Sequence, residues 1–600
     1  MAQPSAPHHS GFRWGWPAAL IALAASLLAV TWGTWPDPIV DFGRELYAPW
    51  RLSEGAVLYR DVAWINGPLS PYVNCLAFQL FGVSLRTLVV CNVVVLAVVS
   101  VLLYRLTTAM TTLPAAGSAV AAVLSVFGFS QLLGIGNFNF ICPYSHELTH
   151  GLLLAVAAFY AMFGWMRRGR LAYAFVASLL AGMALLTKPE TAIAAVAVVM
   201  AYLGCALLSK RFSRSQMLWT ATVVSAGLAV PLLLAVLLLS TALGLSGAIR
   251  GLLTPWSGAL NPQIQSLLYY RVSAGVNQPF AHALRMLKWT GIYTAAAFLV
   301  VVLGHLLRNK RPTAWRDPIR LVPALAIAVL WTSHLSSWYE AASGLPAVAA
   351  IGLVAGIVLC RSEGQQERGA LLCGFSILSL ALLAKIALAA RVHHYGFVLA
   401  LPAAVLLVIV FVGYLPEIAA RHRASARVVQ RASGVLLLGT VAVSLAITAL
   451  FAHAKTVTVA EGADRFRAEL RGRALEDCRR ALSGRLRPGA TVAVLPEGVM
   501  LNYLLRRRSS VPYIVFMPVE LSLFGEESVL SSLRASPPDV IALVHKDTGD
   551  YGYPLFGSDY GVAIMRWVRQ NYRRSLLIGR EPLRKPAEFG IEVLSYVRPQ

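Results

Sequence analysis

Apolar runs of about 20 residues recur through the first 453 positions of this chain, separated by short basic breaks. A run of that length matches the hydrocarbon thickness of a bilayer. Only a helix can cross it alone, because its backbone hydrogen bonds close within the segment. The chain therefore reads as a polytopic α-helical membrane protein. Hydrophobic residues make up 57% and charged residues 13% of the 600 positions, against about 25% charged in soluble domains. Disordered, collagen-like, coiled-coil and disulfide-scaffold classes are excluded.

The first run, Trp16 to Trp35, carries tryptophans near both ends, as interfacial anchors do. A cleaved signal peptide is the other reading, but the run is long for an h-region and lacks an A-x-A site. Further spans are expected at about 86–106, 114–134, 148–166, 171–187, 190–208, 217–243 and 287–307. Five more follow at about 319–337, 346–360, 369–390, 397–415 and 434–453. That makes about 13 spans.

The net charge of +24 would ordinarily raise nucleic acid as a partner. Here much of the excess lies in the breaks, at Arg167–Arg170, Ser209–Arg214, Arg308–Arg316 and Arg421–Arg427. No basic helix or aromatic platform accompanies it, so nucleic acid is not expected. With the amino terminus inside, inside loops collect roughly 19 Lys and Arg and outside loops roughly 10.

Residues 1–453 then form the membrane domain, with long outer loops at about 35–85 and 244–286. Residues 454–600 are soluble in character and fall outside. An amphipathic helix is expected from Asp464 to Leu486. After it TVAVLP, EGVMLNYLLRRR, VPYIVF, PPDVIALVH, DYGVAIMRWVRQNYR and IEVLSYV alternate strand-like and helix-like patterns, as a small α/β domain does. Of the seven cysteines only Cys478 lies in this part, no CxxC occurs, and several lie within apolar spans. The tail cannot close an internal disulfide.

Four polar features interrupt this pattern, all on the outer side. In PDPIVDFGRELYAPWRLSEGAVLYRDVAWINGPLSPY, Asp41 and Glu45 are spaced i, i+4, with Asp61 and Asn66 beyond a turn at Glu54-Gly55. These acids suit a base at the bilayer edge. A solvated loop in which Arg44, Arg51 and Arg60 neutralise them fits as well. In NFICPYSHELTHG, His146, Glu147 and His150 open the fourth span. The two histidines have ligand spacing without the fuller zinc signature, and interfacial polar residues are the alternative.

In LLTKPETAIAA, Lys188 and Glu190 interrupt two apolar runs. Ionisable groups at membrane depth are functional candidates, and a tight turn with Pro189 opening a helix is the other reading. In AARVHHYGFVLALPA, Arg391, His393, His394 and Tyr395 form either a phosphate clamp or an interfacial aromatic-basic belt. Glu340 is a lone outer carboxylate and a weaker candidate. Their common side argues for one extracytoplasmic site.

The stretch Asp41 through Tyr72, with LSEGAVLYRDVAWINGPLSPY, resembles the polyprenyl-phosphate-sugar glycosyltransferases of the GT-C class. That class includes family 39-like members, the protein O-mannosyltransferases and the aminoarabinose transferases of lipid A. Ser145-His146-Glu147 and Leu186-Thr187-Lys188-Pro189-Glu190 are similar to two further elements of the family. The likeness covers the first 210 residues, and the remaining spans only in general architecture.

The resemblance implies a GT-C architecture in a cell membrane, for bacterial members the inner membrane, and transfer of a sugar from a polyprenyl-phosphate donor with inversion. It makes Asp41 the catalytic base. Many members carry a second acid next, where this chain has Phe42, and Glu45 is the nearest. Glu45, Asp61 and Glu147 remain the other acids, with Asn66, His146 and Glu190 beside them. Lys188, Arg391, His393, His394 and Tyr395 would meet the donor phosphate. The donor is already activated, which agrees with the lack of a Gly-rich phosphate loop. No cofactor is called for, no metal ligand set is assigned, and a divalent ion stays open. Partners are the lipid-linked donor, membrane lipids and an acceptor that is protein, lipid or glycan. A related ligase or polymerase of lipid-linked glycans, a transporter or flippase, and a non-enzymatic scaffold are the alternatives. A transporter would show internal repeats and midplane charges, which this sequence lacks.

Overall fold

The computed structural model describes residues 15–308, 339–584 and 589–597. Among them, nine helical segments are long and apolar enough to cross a membrane. Three shorter apolar helices, Gly15–Thr31, Leu113–Gly128 and Leu171–Ala184, accompany them. The span expected at 319–337, and most of the basic break before it, lie outside the described residues.

The first helices in chain order are α1 (Gly15–Thr31), α2 (Phe42–Ser53), α3 (Leu69–Phe81), α4 (Leu85–Met110) and α5 (Leu113–Ala122). Then come α6 (His146–Arg168), α7 (Leu171–Ala184), α8 (Pro189–Leu208) and α9 (Arg214–Leu260). Helix α6 is the centre of the bundle. It is buried almost throughout and packs against α4, α7, α8 and the Gln366–Leu383 helix. Small residues allow the close approach, as is usual where lipid supplies no hydrophobic drive between helices. A Cβ on Gly151 would lie 2.2 Å from the Thr191 hydroxyl, and one on Gly374 would lie 2.4 Å from the Phe159 ring.

Both stretches read as outer loops contain helices. Residues 35–85 hold α2 and α3. Residues 244–286 are helical over most of their length. Helix α9 continues through a kink at Gly244 (φ 68°) to Leu260, and Pro262–Ser266, Leu268–Ala274 and Pro279–Leu306 follow. The reason is packing: Gly251 lets α9 lie against the Tyr59 ring, which a Cβ there would meet at 2.6 Å.

Beyond the last span, Ala426–His453, a two-stranded antiparallel ribbon forms from β1 (Val457–Val459) and β2 (Phe466–Ala468). A four-stranded mixed sheet follows in the order β3 (Val492–Leu495), β4 (Val540–Val544), β6 (Gly590–Tyr596), β5 (Tyr572–Gly579). Strands β3 and β4 are parallel and the other pairs antiparallel. The helix expected from Asp464 begins only at Arg471. Asp464 is used elsewhere: its carboxylate accepts from the Leu85 N–H at 2.7 Å, the Tyr503 hydroxyl at 2.8 Å and Arg506 at 2.6 Å. The VPYIVF run forms no strand. The IEVLSYV run forms the expected strand, β6, between β4 and β5, and the helix expected through Arg573 ends at Asn571, where β5 begins with Tyr572.

The sheet region is docked on the first loop. The Ala63 N–H donates to the Pro512 carbonyl at 3.0 Å, and the Ser509 N–H to the Tyr47 hydroxyl at 2.8 Å. Helix α2 lies so close that a Cβ on Gly43 would sit 2.3 Å from the Met500 nitrogen.

Candidate active site

The turn that carries Asp41 is set by Asp37. One oxygen of the buried Asp37 carboxylate accepts from the N–H groups of Ile39 (2.9 Å) and Val40 (2.8 Å), and the other meets Arg471 at 2.9 Å. The chain then turns sharply at Asp41 (φ 56°, ψ −60°) in a γ-turn closed by the Phe42 N–H donating to the Val40 carbonyl at 2.6 Å. Its N–H is held by Glu497 Oε1 at 3.0 Å. Helix α2 starts at Phe42, so Asp41 stands just before the helix, at its N-cap position, and its side chain makes no capping hydrogen bond.

Arg44 joins the acids. Its Nη2 lies 3.2 Å from Asp41 Oδ1 and donates to the Tyr144 carbonyl at 3.0 Å, while Nε lies 3.4 Å from Glu45 Oε1. Glu45 turns its other oxygen to the start of α6, accepting from the His146 N–H at 3.0 Å and meeting His146 Nδ1 at 2.7 Å. A carboxylate there complements the positive end of the helix. Glu147 is likewise engaged, by the Ser145 hydroxyl (2.6 Å), Trp64 Nε1 (3.0 Å) and Asn66 Nδ2 (3.4 Å). Asp41 differs from both: its side chain is 21% exposed, against 2% for Glu45.

Burial is the main reason that the Asp41 carboxyl is pushed up to about 7. Arg44 opposes the rise, Glu497 adds to it, and Lys546 lowers it. Lys546 Nζ lies 3.0 Å from Glu497 Oε2, so the sheet region places an ion pair behind Asp41. Glu520 lines a small cleft with Arg44 and Trp64, and burial pushes its carboxyl up to about 7 as well. Burial works against the charge on Arg44, yet Asp41 and Glu45 outweigh it and hold the guanidinium firmly protonated.

A second group adjoins the first through Tyr144. Lys188 Nζ lies 4.6 Å over the Tyr144 ring, and Lys385 Nζ lies 4.7 Å over the Tyr395 ring. Those two rings are 5.3 Å apart. Glu190 pairs with Lys385 at 2.7 Å. The Tyr269 hydroxyl reaches His394 Nε2 at 2.8 Å and donates to the Tyr395 hydroxyl at 3.0 Å, and its ring stacks on Tyr551 at 4.6 Å. The cluster thus holds two ammonium groups among phenols and an imidazole.

The geometry separates the sequence candidates. Asp41, Glu45, Glu147, His146 and Asn66 meet in one network, and Lys188, Glu190, His394 and Tyr395 in the next. Asp61 stays with its own turn, bound to Arg60 at 2.8 Å and to the Val57 N–H at 2.8 Å. Arg391 donates to the Ser273 carbonyl at 3.3 Å, and His393 packs on Tyr339 at 4.5 Å. His146 and His150 are engaged with Glu45, Asn92 and Ser70, so their spacing makes no metal pair. Lys385, Glu497, Glu520 and Lys546 were missed. A lysine inside the apolar run ALLAKIALAA was a readable signal for the first. Nothing local marks the other three.

No family model matches this sequence, and no curated protein matches it. Among solved structures, the crystal structure of ArnT from Cupriavidus metallidurans bound to undecaprenyl phosphate is similar at 13% identity and a TM-score of 0.46. The match covers 98% of this chain and 100% of that one. A likeness at that level leaves the chemistry to the residues themselves.

Proposed function

We propose that this chain is an integral-membrane glycosyltransferase that moves a sugar from a polyprenyl-phosphate donor to an acceptor hydroxyl on the extracytoplasmic face. Residues 454–600 are then an α/β domain on that same side. The observation that carries this reading is Asp41, a mostly buried carboxylate with one side still open, backed by Arg44 and the Glu497–Lys546 pair, with Arg44 and Tyr144 linking it to a group that holds two lysines. The resemblance of the Asp41–Tyr72 stretch supplies the reaction class.

In this mechanism Asp41 takes the proton of the acceptor hydroxyl. The acceptor oxygen forms a bond to the sugar C1 as the bond from C1 to the phosphate oxygen breaks on the opposite side, which inverts that centre. The phosphate leaves with the bonding electrons, and Lys188 and Lys385 meet its charge, with Arg391 and the His394–Tyr395 turn beside them. Glu45 and Glu147 hold the scaffold. Their oxygens already accept hydrogen bonds from α6 and from the first loop.

Transfer of radiolabelled sugar from a polyprenyl-phosphate donor in detergent tests this reading. Wild-type protein should transfer, and Asp41→Asn should lose about 10²–10⁴-fold in rate while remaining folded. Activity within about threefold of wild type would remove Asp41 as the base. Donor binding without any transfer would favour a flippase.

A further inference from the structure

Three of the seven cysteines, far apart in sequence, converge at one point of the membrane bundle. Cys205 lies near the end of α8, Cys360 in the last turn of the Leu345–Arg361 helix, and Cys373 in the Gln366–Leu383 helix. All three are buried free thiols, and their sulfurs lie within 4.8 Å of one another. Cysteine packs well as a small apolar residue, which accounts for any one of them. Packing alone gives no reason for three sulfurs from three helices to meet.

The approach is built into the backbone. A Cβ on Gly356 would lie 2.7 Å from Cys373 Sγ, and one on Gly369 would lie 2.5 Å from the Cys360 nitrogen. These two glycines let the helices close until the thiols touch. A second observation points the same way. The buried Tyr202 hydroxyl has no hydrogen-bond partner among the described residues. Tyr202 stands one turn before Cys205 on the same face of α8. Its ring lies against Gly374, which adjoins Cys373. An unpaired buried hydroxyl is costly, and a thiolate would accept from it.

We propose that Cys205, Cys360 and Cys373 form a three-thiolate site for a soft metal ion, Cu(I). Thiolates select soft ions. Zinc takes a fourth ligand in structural sites. Among the described residues, the three sulfurs form the whole donor group. Cu(I) accepts three thiolates in a trigonal arrangement, whose sulfurs stand about 4 Å apart for metal–sulfur bonds of about 2.3 Å. Side-chain adjustment by well under 1 Å closes the present set to that size. Each thiol that becomes a ligand releases its proton to solvent as the sulfur–copper bond forms, and copper remains Cu(I) throughout.

The site is remote from Asp41. Helix α8 begins beside Lys188, and Cys205 lies about 24 Å further along it at 1.5 Å per residue. It therefore sits toward the opposite membrane face. Cys360 lies two residues before the turn Ser362–Gln365, most of which is exposed.

The test uses full-length protein in detergent, reduced and anaerobic, titrated with Cu(I) against a colorimetric Cu(I) chelator. One Cu(I) per chain should be retained, and X-ray absorption of that sample should report three sulfur neighbours. Cys205→Ala, Cys360→Ala and Cys373→Ala should each weaken retention at least tenfold, while Cys91→Ala should not. The wild-type sulfur count stands even where a variant misfolds. The proposal is overturned by no retention in wild type, by a count other than three sulfurs, or by unchanged retention in the triple variant. A native disulfide between any two of the three, found by mass spectrometry without reduction, overturns it in favour of a redox pair.

Discussion

The ion pair behind Asp41 predicts opposite pH shifts for two neutralising substitutions. A base must be ionised to work, so kcat/KM should rise with pH through the carboxyl's pKa, about 7. Glu497 raises that value and Lys546 lowers it. Glu497→Gln removes a negative neighbour but keeps an oxygen that can accept from the Asp41 N–H. The ionised form gains, and the acidic limb moves down. Lys546→Met removes the cation and leaves Glu497 unpaired, so the limb moves up.

The size follows from Coulomb's law. Unit charges about 5 Å apart at an effective dielectric of about 20 interact by about 3 kcal/mol, or roughly two pKa units as an upper bound. Solvent reaches Asp41, whose side chain is 21% exposed, and the partner charge compensates in part, which brings the expected shift to about one unit. With the rate plateau unchanged, Glu497→Gln should be about fivefold faster than wild type one unit below the wild-type pKa, and Lys546→Met about tenfold slower. The assay is radiolabelled transfer at subsaturating donor across the pH range, in detergent at fixed ionic strength. Shifts in the same direction, or a limb that stays in place in both variants, would refute Asp41 as the titrating base.

Three further outcomes are expected. Gly43→Ala should loosen the sheet region from helix α2, because its Cβ meets backbone at 2.3 Å; overpacking of this kind costs about 1–3 kcal/mol. A melting temperature equal to wild type, with unchanged proteolysis of the region after residue 454, would contradict it. Lys385→Met should weaken donor binding measured without acceptor by about 10- to 100-fold, as Lys188→Met should, since loss of a charge-assisted phosphate contact costs about 1.5–3 kcal/mol. Unchanged donor affinity in both would remove the lysines from the phosphate. Asp61→Asn should leave transfer within about twofold of wild type, because its carboxylate serves an exposed turn; a loss of a hundredfold would return Asp61 to the site.

What the sequence by itself determined is what local pattern determines. Apolar runs with basic breaks require membrane helices, since a backbone in hydrocarbon has no other partner than itself. Ionisable residues that break those runs stand out because they are expensive there. Lys188, Glu190 and Glu147 were visible for that reason, and Lys385 obeyed the same rule unnoticed. The i, i+4 spacing of Asp41 and Glu45 presumed one helix, whereas α2 begins one residue after Asp41 and the two acids are joined through Arg44.

Tertiary structure alone decided which acids are occupied and which one is open. Glu45 is spent on the start of α6 and Glu147 on Trp64 and Asn66, partners set by packing between distant segments, whereas Asp61 is held locally by its neighbour Arg60. Glu497 lies 456 positions from Asp41, and three cysteines from three helices meet at one point. No periodicity encodes such pairings. Spacing records which face of one element a residue occupies, whereas a hydrogen bond between elements depends on how their surfaces fit.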